Sequence, residues 1–145
     1  MVGDKELLVC LLDNINMGIE ALESLIKNLE NTDNKIKSNV AKSLEEYKTF
    51  YKKCNKLCKK IKCKPAKPNI LKTLMTKMGT NTEFKRDNSD SKIAETLIQG
   101  YNMGILDITK KINQYKGDAS SDVMNLSIEY KKMMEKGIKD IKGFL

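Results

Sequence analysis

The tetrapeptide Asn16-Met17-Gly18-Ile19 returns as Asn102-Met103-Gly104-Ile105. Sliding the chain by 86 positions superposes Asp4 on Asp90, Leu7 on Ile93, Leu11 on Leu97, Leu12 on Ile98, Ile15 on Tyr101, Leu22 on Ile108 and Ile26 on Ile112. Downstream, the series Val40, Leu44, Glu46, Tyr47 is echoed by Val123, Leu126, Glu129, Tyr130, with the last two residues offset by 83. The pattern predicts two copies of one helical hairpin separated by a long connection. It constrains the fold and is silent on chemistry.

The spacing sets the helices. From about Lys5 to Leu29, with Asp4 as expected N-cap, the residues Leu8, Leu11, Leu12, Ile15, Ile19, Leu22, Ile26 and Leu29 recur at three- and four-residue steps, one stripe of a helix. Asn31 to Asn34 reads as a tight turn. A second helix is expected from about Lys35 to Ile61, with Val40, Leu44, Tyr47, Tyr51, Cys54 and Cys58 inward. Pro65 and Pro68 stop it. In the connection, Asn69 to Gly79 is expected to form a short helix carrying Ile70, Leu71, Leu74, Met75 and Met78, followed by a polar loop. A third helix is expected from Ser91 to Tyr115 with Asp90 as cap, starting at the same end of the bundle as the first. A fourth follows the turn Lys116-Gly117-Asp118 and runs from Ser120 to Lys142. Glycine inside a helix costs about 1 kcal/mol against alanine, so Gly18 and Gly104 at matching places predict close helix approach. The expected domain is one all-α unit over 1–145: a first hairpin over 5–61, a crossover over 62–90 and a second hairpin over 91–142.

Composition agrees. A chain of 145 residues with 40% apolar and 32% charged residues is globular, and strand-forming runs are missing. The Lys, Asn and Ile bias resembles the usage of an AT-rich bacterial genome. No basic segment precedes an apolar one near Met1, and no apolar run reaches the length of a membrane span, so a cytoplasmic protein is expected. Net charge is +8, and much of the excess sits between Lys48 and Lys67. No aromatic-basic alternation accompanies it, which argues against nucleic acid as the partner. The partner is left open, with self-association through the bundle as one expectation.

Two antiparallel hairpins joined by one long crossover make a four-helix bundle of ferritin-like topology. With the stretch Ile93-Ala94-Glu95-Thr96-Leu97-Ile98-Gln99-Gly100-Tyr101-Asn102-Met103-Gly104-Ile105, the chain resembles bacterial members of the ferritin-like superfamily that have no assigned activity. The resemblance implies a place for two iron or manganese ions, held by a carboxylate from each of two helices and a Glu-x-x-His from each of the other two. The chain has no histidine. Glu46 and Glu129 stand where the Glu of that motif could lie, but Thr49 and Lys132 follow three residues later, and Lys132 would repel a cation. The nearest other carboxylates are Glu20, Glu23 and Asp107. At about 100° per residue, Glu20, Glu46, Asp107 and Glu129 fall roughly 90° or more from the apolar stripes, at flank or surface positions.

The four cysteines offer a second chemistry. Cys54 and Cys58 share a helix face, Cys63 follows, and Cys10 is expected level with Leu57, which gathers all four at one end of the bundle. Thiolates there would suit zinc or cuprous copper. The spacing matches no zinc signature, and cysteine commonly fills a core as a small apolar group. Reduced thiols are expected. The inward tyrosines, Tyr47, Tyr101 and Tyr130 among them, are expected to find polar partners. The resulting expectation is a non-enzymatic binding or assembly module, with no cofactor and no resident metal. A thiol-based metal or redox protein and a carboxylate-only di-metal protein are the alternatives.

Overall fold

The computed structural model describes residues 2–64 and 87–145. Among them are four long α-helices and no strand: α1 (Val2–Asn28), α2 (Lys37–Ile61), α3 (Asp90–Tyr115) and α4 (Ser121–Ile141), closed by a 3-10 turn, Lys142–Phe144. The expected short helix over Asn69 to Gly79, with Pro65 and Pro68, lies outside the described residues. None of the described helices is long and apolar enough to cross a membrane.

The apolar stripes meet as their periodicity requires. Leu7, Leu8, Leu11, Leu12 and Ile15 of α1 are fully buried. At roughly 1.5–3 kcal/mol per side chain these five contribute on the order of 10 kcal/mol against the ordering entropy of the chain. Val40, Leu44, Tyr47, Cys54 and Cys58 of α2, Ile93, Leu97, Tyr101 and Ile108 of α3, and Val123, Leu126, Tyr130, Met134 and Ile141 of α4 complete one core. Tyr51, Ile19, Ile26 and Ile112 sit only partly buried at its margin.

α1 packs along α2, and α3 along α4; across the hairpins α1 touches both α3 and α4, while α2 touches α4. α2 and α3 therefore stand diagonally opposed. The helix directions follow from two sets of end contacts. At one end the Gly3 N–H donates to the Asp118 carbonyl (3.0 Å) and the Ser120 N–H to Asp4 Oδ1 (2.6 Å). At the other, Asn34 Nδ2 donates to the Asn88 carbonyl (2.8 Å) and to Asp90 Oδ1 (2.9 Å), and the Lys35 N–H to Asp90 Oδ2 (3.2 Å). The start of α1 thus lies against the α3–α4 turn, and the start of α3 against the α1–α2 turn.

This corrects the expectation that α3 begins beside the start of α1. α3 begins at the opposite end, antiparallel to α1, because the chain leaves α2 at the end where α1 starts and re-enters at the other. It also corrects two caps. α1 begins at Val2, so Asp4 lies inside its first turn and serves the other hairpin's Ser120. α3 is capped by Ser89, whose side chain accepts from the Lys92 N–H at 3.2 Å, and Asp90 is released to serve the first hairpin's turn. α2 begins at Lys37, two residues later than expected, and Ser120 caps α4.

The glycines make room for side chains rather than for helix backbones. A Cβ on Gly18 would fall 2.2 Å from the Tyr47 ring, and one on Gly104 would fall 2.7 Å from Met134 Sδ and 2.9 Å from Asn14 Oδ1. Gly117, in the α3–α4 turn, has φ +89°, where a side chain is strained.

Candidate functional site

The carboxylates singled out from sequence do not converge. Glu20, Glu23, Asp107 and Glu129 are exposed, as is Lys132. Glu46 is half-buried in the α2–α4 seam, where Lys42, Tyr101, Lys136 and Asp140 line the same small hollow. Glu46 and Glu129 therefore sit in different surroundings despite their equivalent places in the sequence pattern.

The middle of the bundle holds tyrosines instead. Tyr47 and Tyr130 meet edge to face with ring centroids 5.8 Å apart; Tyr101 lies 6.4 Å from Tyr47 and Phe50 5.6 Å from Tyr130. Their hydroxyls are satisfied as burial demands. Tyr130 donates to Asn14 Oδ1, and Tyr101 donates to Ser43 Oγ at 2.8 Å. Burial raises all three phenols above their ordinary range, so they are neutral hydrogen-bonding groups across the physiological pH range. Asn14, buried to 8% exposure, is a polar centre that the sequence reading missed. Its place beside Ile15 and Leu11 was visible, but its partner is 116 residues away.

The thiols divide into separate environments. Cys58 and Cys63 are joined as a disulfide, with Cα atoms 5.1 Å apart, which corrects the expectation of reduced thiols at these two positions. The helix end explains the pairing. Lys62 adopts a left-handed conformation (φ 58°) and the Cys63 N–H returns to the Cys58 carbonyl at 3.0 Å, which swings Cys63 back over the last turn. Cys54 is free and buried, and burial pushes its thiol up to about 12. Cys10 is free and partly buried; burial first, and then Asp107, push it up to about 11. Neither free thiol is poised as a thiolate nucleophile at neutral pH.

Cys10 and Asp107 share an open cleft of about 360 Å³ between α1 and α3, with Asp13, Met17, Lys110 and Lys111 also on its walls. A narrower hollow of about 40 Å³ is lined by Asn14, Met17, Gly18, Gly100, Met103 and Gly104. Two candidates drawn from different chemistries, a thiol and a carboxylate, are thus brought together, while Cys54, Cys58 and Cys63 lie elsewhere. Among the described residues no group of three or more Cys, Asp or Glu side chains is placed to hold a metal ion. Comparison with protein families, with curated proteins and with solved structures finds no match for the chain.

Proposed function

We propose that the chain is a non-enzymatic four-helix bundle of ferritin-like topology that works as a binding or assembly module. The observation that carries this reading is what fills the middle of the bundle. The positions around which inward carboxylates would have to gather are taken by Tyr47, Tyr101, Tyr130 and Asn14, neutral groups of which Tyr130 donates to Asn14 and Tyr101 to Ser43. Supporting the topology, the first turn of each hairpin's leading helix places an aspartate on the turn of the other hairpin, Asp4 on Ser120 and Asp90 on Asn34 and Lys35. These are the aspartates that the 86-residue offset superposes.

The thiol reading is the second, favoured by the Cys58–Cys63 pair and by Cys10 in its cleft. Elemental analysis of protein purified without added metal separates the readings. Substoichiometric traces are expected. Iron or manganese near one equivalent or more overturns the proposal in favour of carboxylate di-metal chemistry; zinc or copper at that level transfers it to the thiols.

A further inference from the structure

The excess charge of the chain is not spread over its surface. Residues 47–64 contain eight lysines, at 48, 52, 53, 56, 59, 60, 62 and 64, and no acidic residue. The chain has 27 basic and 19 acidic residues; without those eight lysines it balances at nineteen of each. The C-terminal half of α2 and the turn that leaves it thus carry +8; residues 65–86 add five basic residues against one acidic, and residues 1–46 offset this with nine acidic residues against five lysines. α4, the second helix of the other hairpin, carries four lysines and four acidic residues. A second-position helix in this bundle folds without such an excess, so packing does not demand it.

Seven of the eight lysines are exposed and Lys48 is partly so. Lys48 lies 4.0 Å from Glu45, and the Lys53 ammonium lies over the Phe50 ring at 5.2 Å. Like charges at i, i+4 oppose helix formation, and Lys48, Lys52, Lys56 and Lys60 form an unbroken series of them. The helix dipole compensates only in the last turn, at Lys59 and Lys60. The surplus of like charge along this face is repulsion that an anionic partner would relieve.

Geometry narrows the partner. At 100° and 1.5 Å per residue, Lys48, Lys52, Lys56 and Lys59 fall within an arc of about 80° along roughly 17 Å of one straight helix. Such a ribbon of charge can meet a flat surface all at once. The stretch has no arginine, the residue suited to bidentate reading of phosphates and base edges. Phe50 and Tyr51 are engaged with the core rather than displayed for base stacking. The large exposed apolar side chains among the described residues, Leu106 and Leu145, are not on α2, so nothing on this face inserts into hydrocarbon.

We propose that this face of α2 docks the protein electrostatically and reversibly on an anionic lipid surface. The proposal names a partner for the binding-module reading and rests on it for its meaning. Finding resident iron would overturn that reading while leaving the lysine face to stand or fall on its own test.

The test is co-sedimentation of the intact chain with vesicles of phosphatidylcholine alone or containing about 30 mol% phosphatidylglycerol, at about 0.05 M and about 0.5 M salt. Binding is expected only to the anionic vesicles and only at low salt. Lys52→Glu, Lys56→Glu and Lys59→Glu together are expected to lower partitioning on the order of 100-fold, at about fivefold for each lysine removed from the surface. Lys136→Glu, Lys139→Glu and Lys142→Glu make the same change in net charge elsewhere and are expected to lower it only a few-fold. Lys→Gln at the three α2 positions, checked by circular dichroism, guards against a folding defect. The idea is overturned by equal binding to neutral vesicles, by no binding to anionic ones, or by equal losses in the two triple variants. Duplex DNA that strips the protein from anionic vesicles at low salt would overturn the choice of lipid.

Discussion

Side by side, Gly18 and Tyr130 show how little space separates a permitted residue from a forbidden one in this core. Alanine at position 18 would regain about 1 kcal/mol of helix propensity but drive its methyl into the Tyr47 ring, an overpacking that costs roughly 1–3 kcal/mol. Gly18→Ala is therefore expected to lower the urea midpoint by the equivalent of up to about 2 kcal/mol, whereas Gly143→Ala, with nothing within 4 Å, should be neutral. A Gly18→Ala protein as stable as the parent would refute the contact. Tyr130→Phe leaves Asn14 Oδ1 without its buried donor, and a loss of about 1–3 kcal/mol is expected. If the hydrogen bond is the cause, adding Asn14→Leu to that variant should cost less than it does in the parent. The repetition of Gly18 as Gly104 was plain in the sequence. What the glycines accommodate was not, because the Tyr47 ring at Gly18 and the Met134 and Asn14 side chains at Gly104 arrive from different helices.

Elements were legible in proportion to how local their causes are. The four helices and both turns follow from period and turn chemistry, and their ends agree to within a few residues. The caps did not, because Asp4 and Asp90 are bonded by residues from the opposite hairpin, which no local pattern contains. These two aspartates lie at opposite ends of the bundle, so Asp4→Ala and Asp90→Ala should each cost about 1–2 kcal/mol and add within about 0.5 kcal/mol when combined. Strong coupling between them in denaturant titrations would contradict the arrangement. The disulfide was equally hidden: a five-residue separation closes only because Lys62 turns left-handed at the end of α2. For so short a loop, chain entropy gives about 2 kcal/mol, so dithiothreitol should lower stability by about that much. Thiol titration of the denatured, unreduced protein should find two of its four cysteines; four would remove the bridge.

For the molecule as a whole, the burial of Cys10 and Cys54 sets an alkaline limit. In the unfolded chain both thiols titrate near 9.0; folded, they are held up to about 11 and about 12. Below pH 9 both states keep the protons and stability is unaffected. Above it the unfolded state loses them first, so stability falls with rising pH, by up to about 1.4 kcal/mol per unit for each thiol, until the folded values are reached. The buried tyrosines join from their ordinary value of 10.0 upward. A Cys10→Ala, Cys54→Ala variant should show a shallower decline between pH 9 and 11 than the parent, and parallel curves would refute the linkage. The all-helical bundle was readable in the apolar periodicity, whereas the direction of α3 was not, since two helical hairpins can be paired either way until the end contacts choose. One consequence of the packing concerns synthesis. α1, like α4, touches all three others, and as the first helix made it waits longest for them: its Leu7, Leu8, Leu11, Leu12 and Ile15 are completely covered only in the finished bundle. At 5–20 residues per second, α1 leaves the ribosome roughly 5 to 20 seconds before α4 does. During that interval α2 can shield only one side of a leucine-rich rod, and the nascent protein is at its most exposed to chaperones and to neighbouring chains.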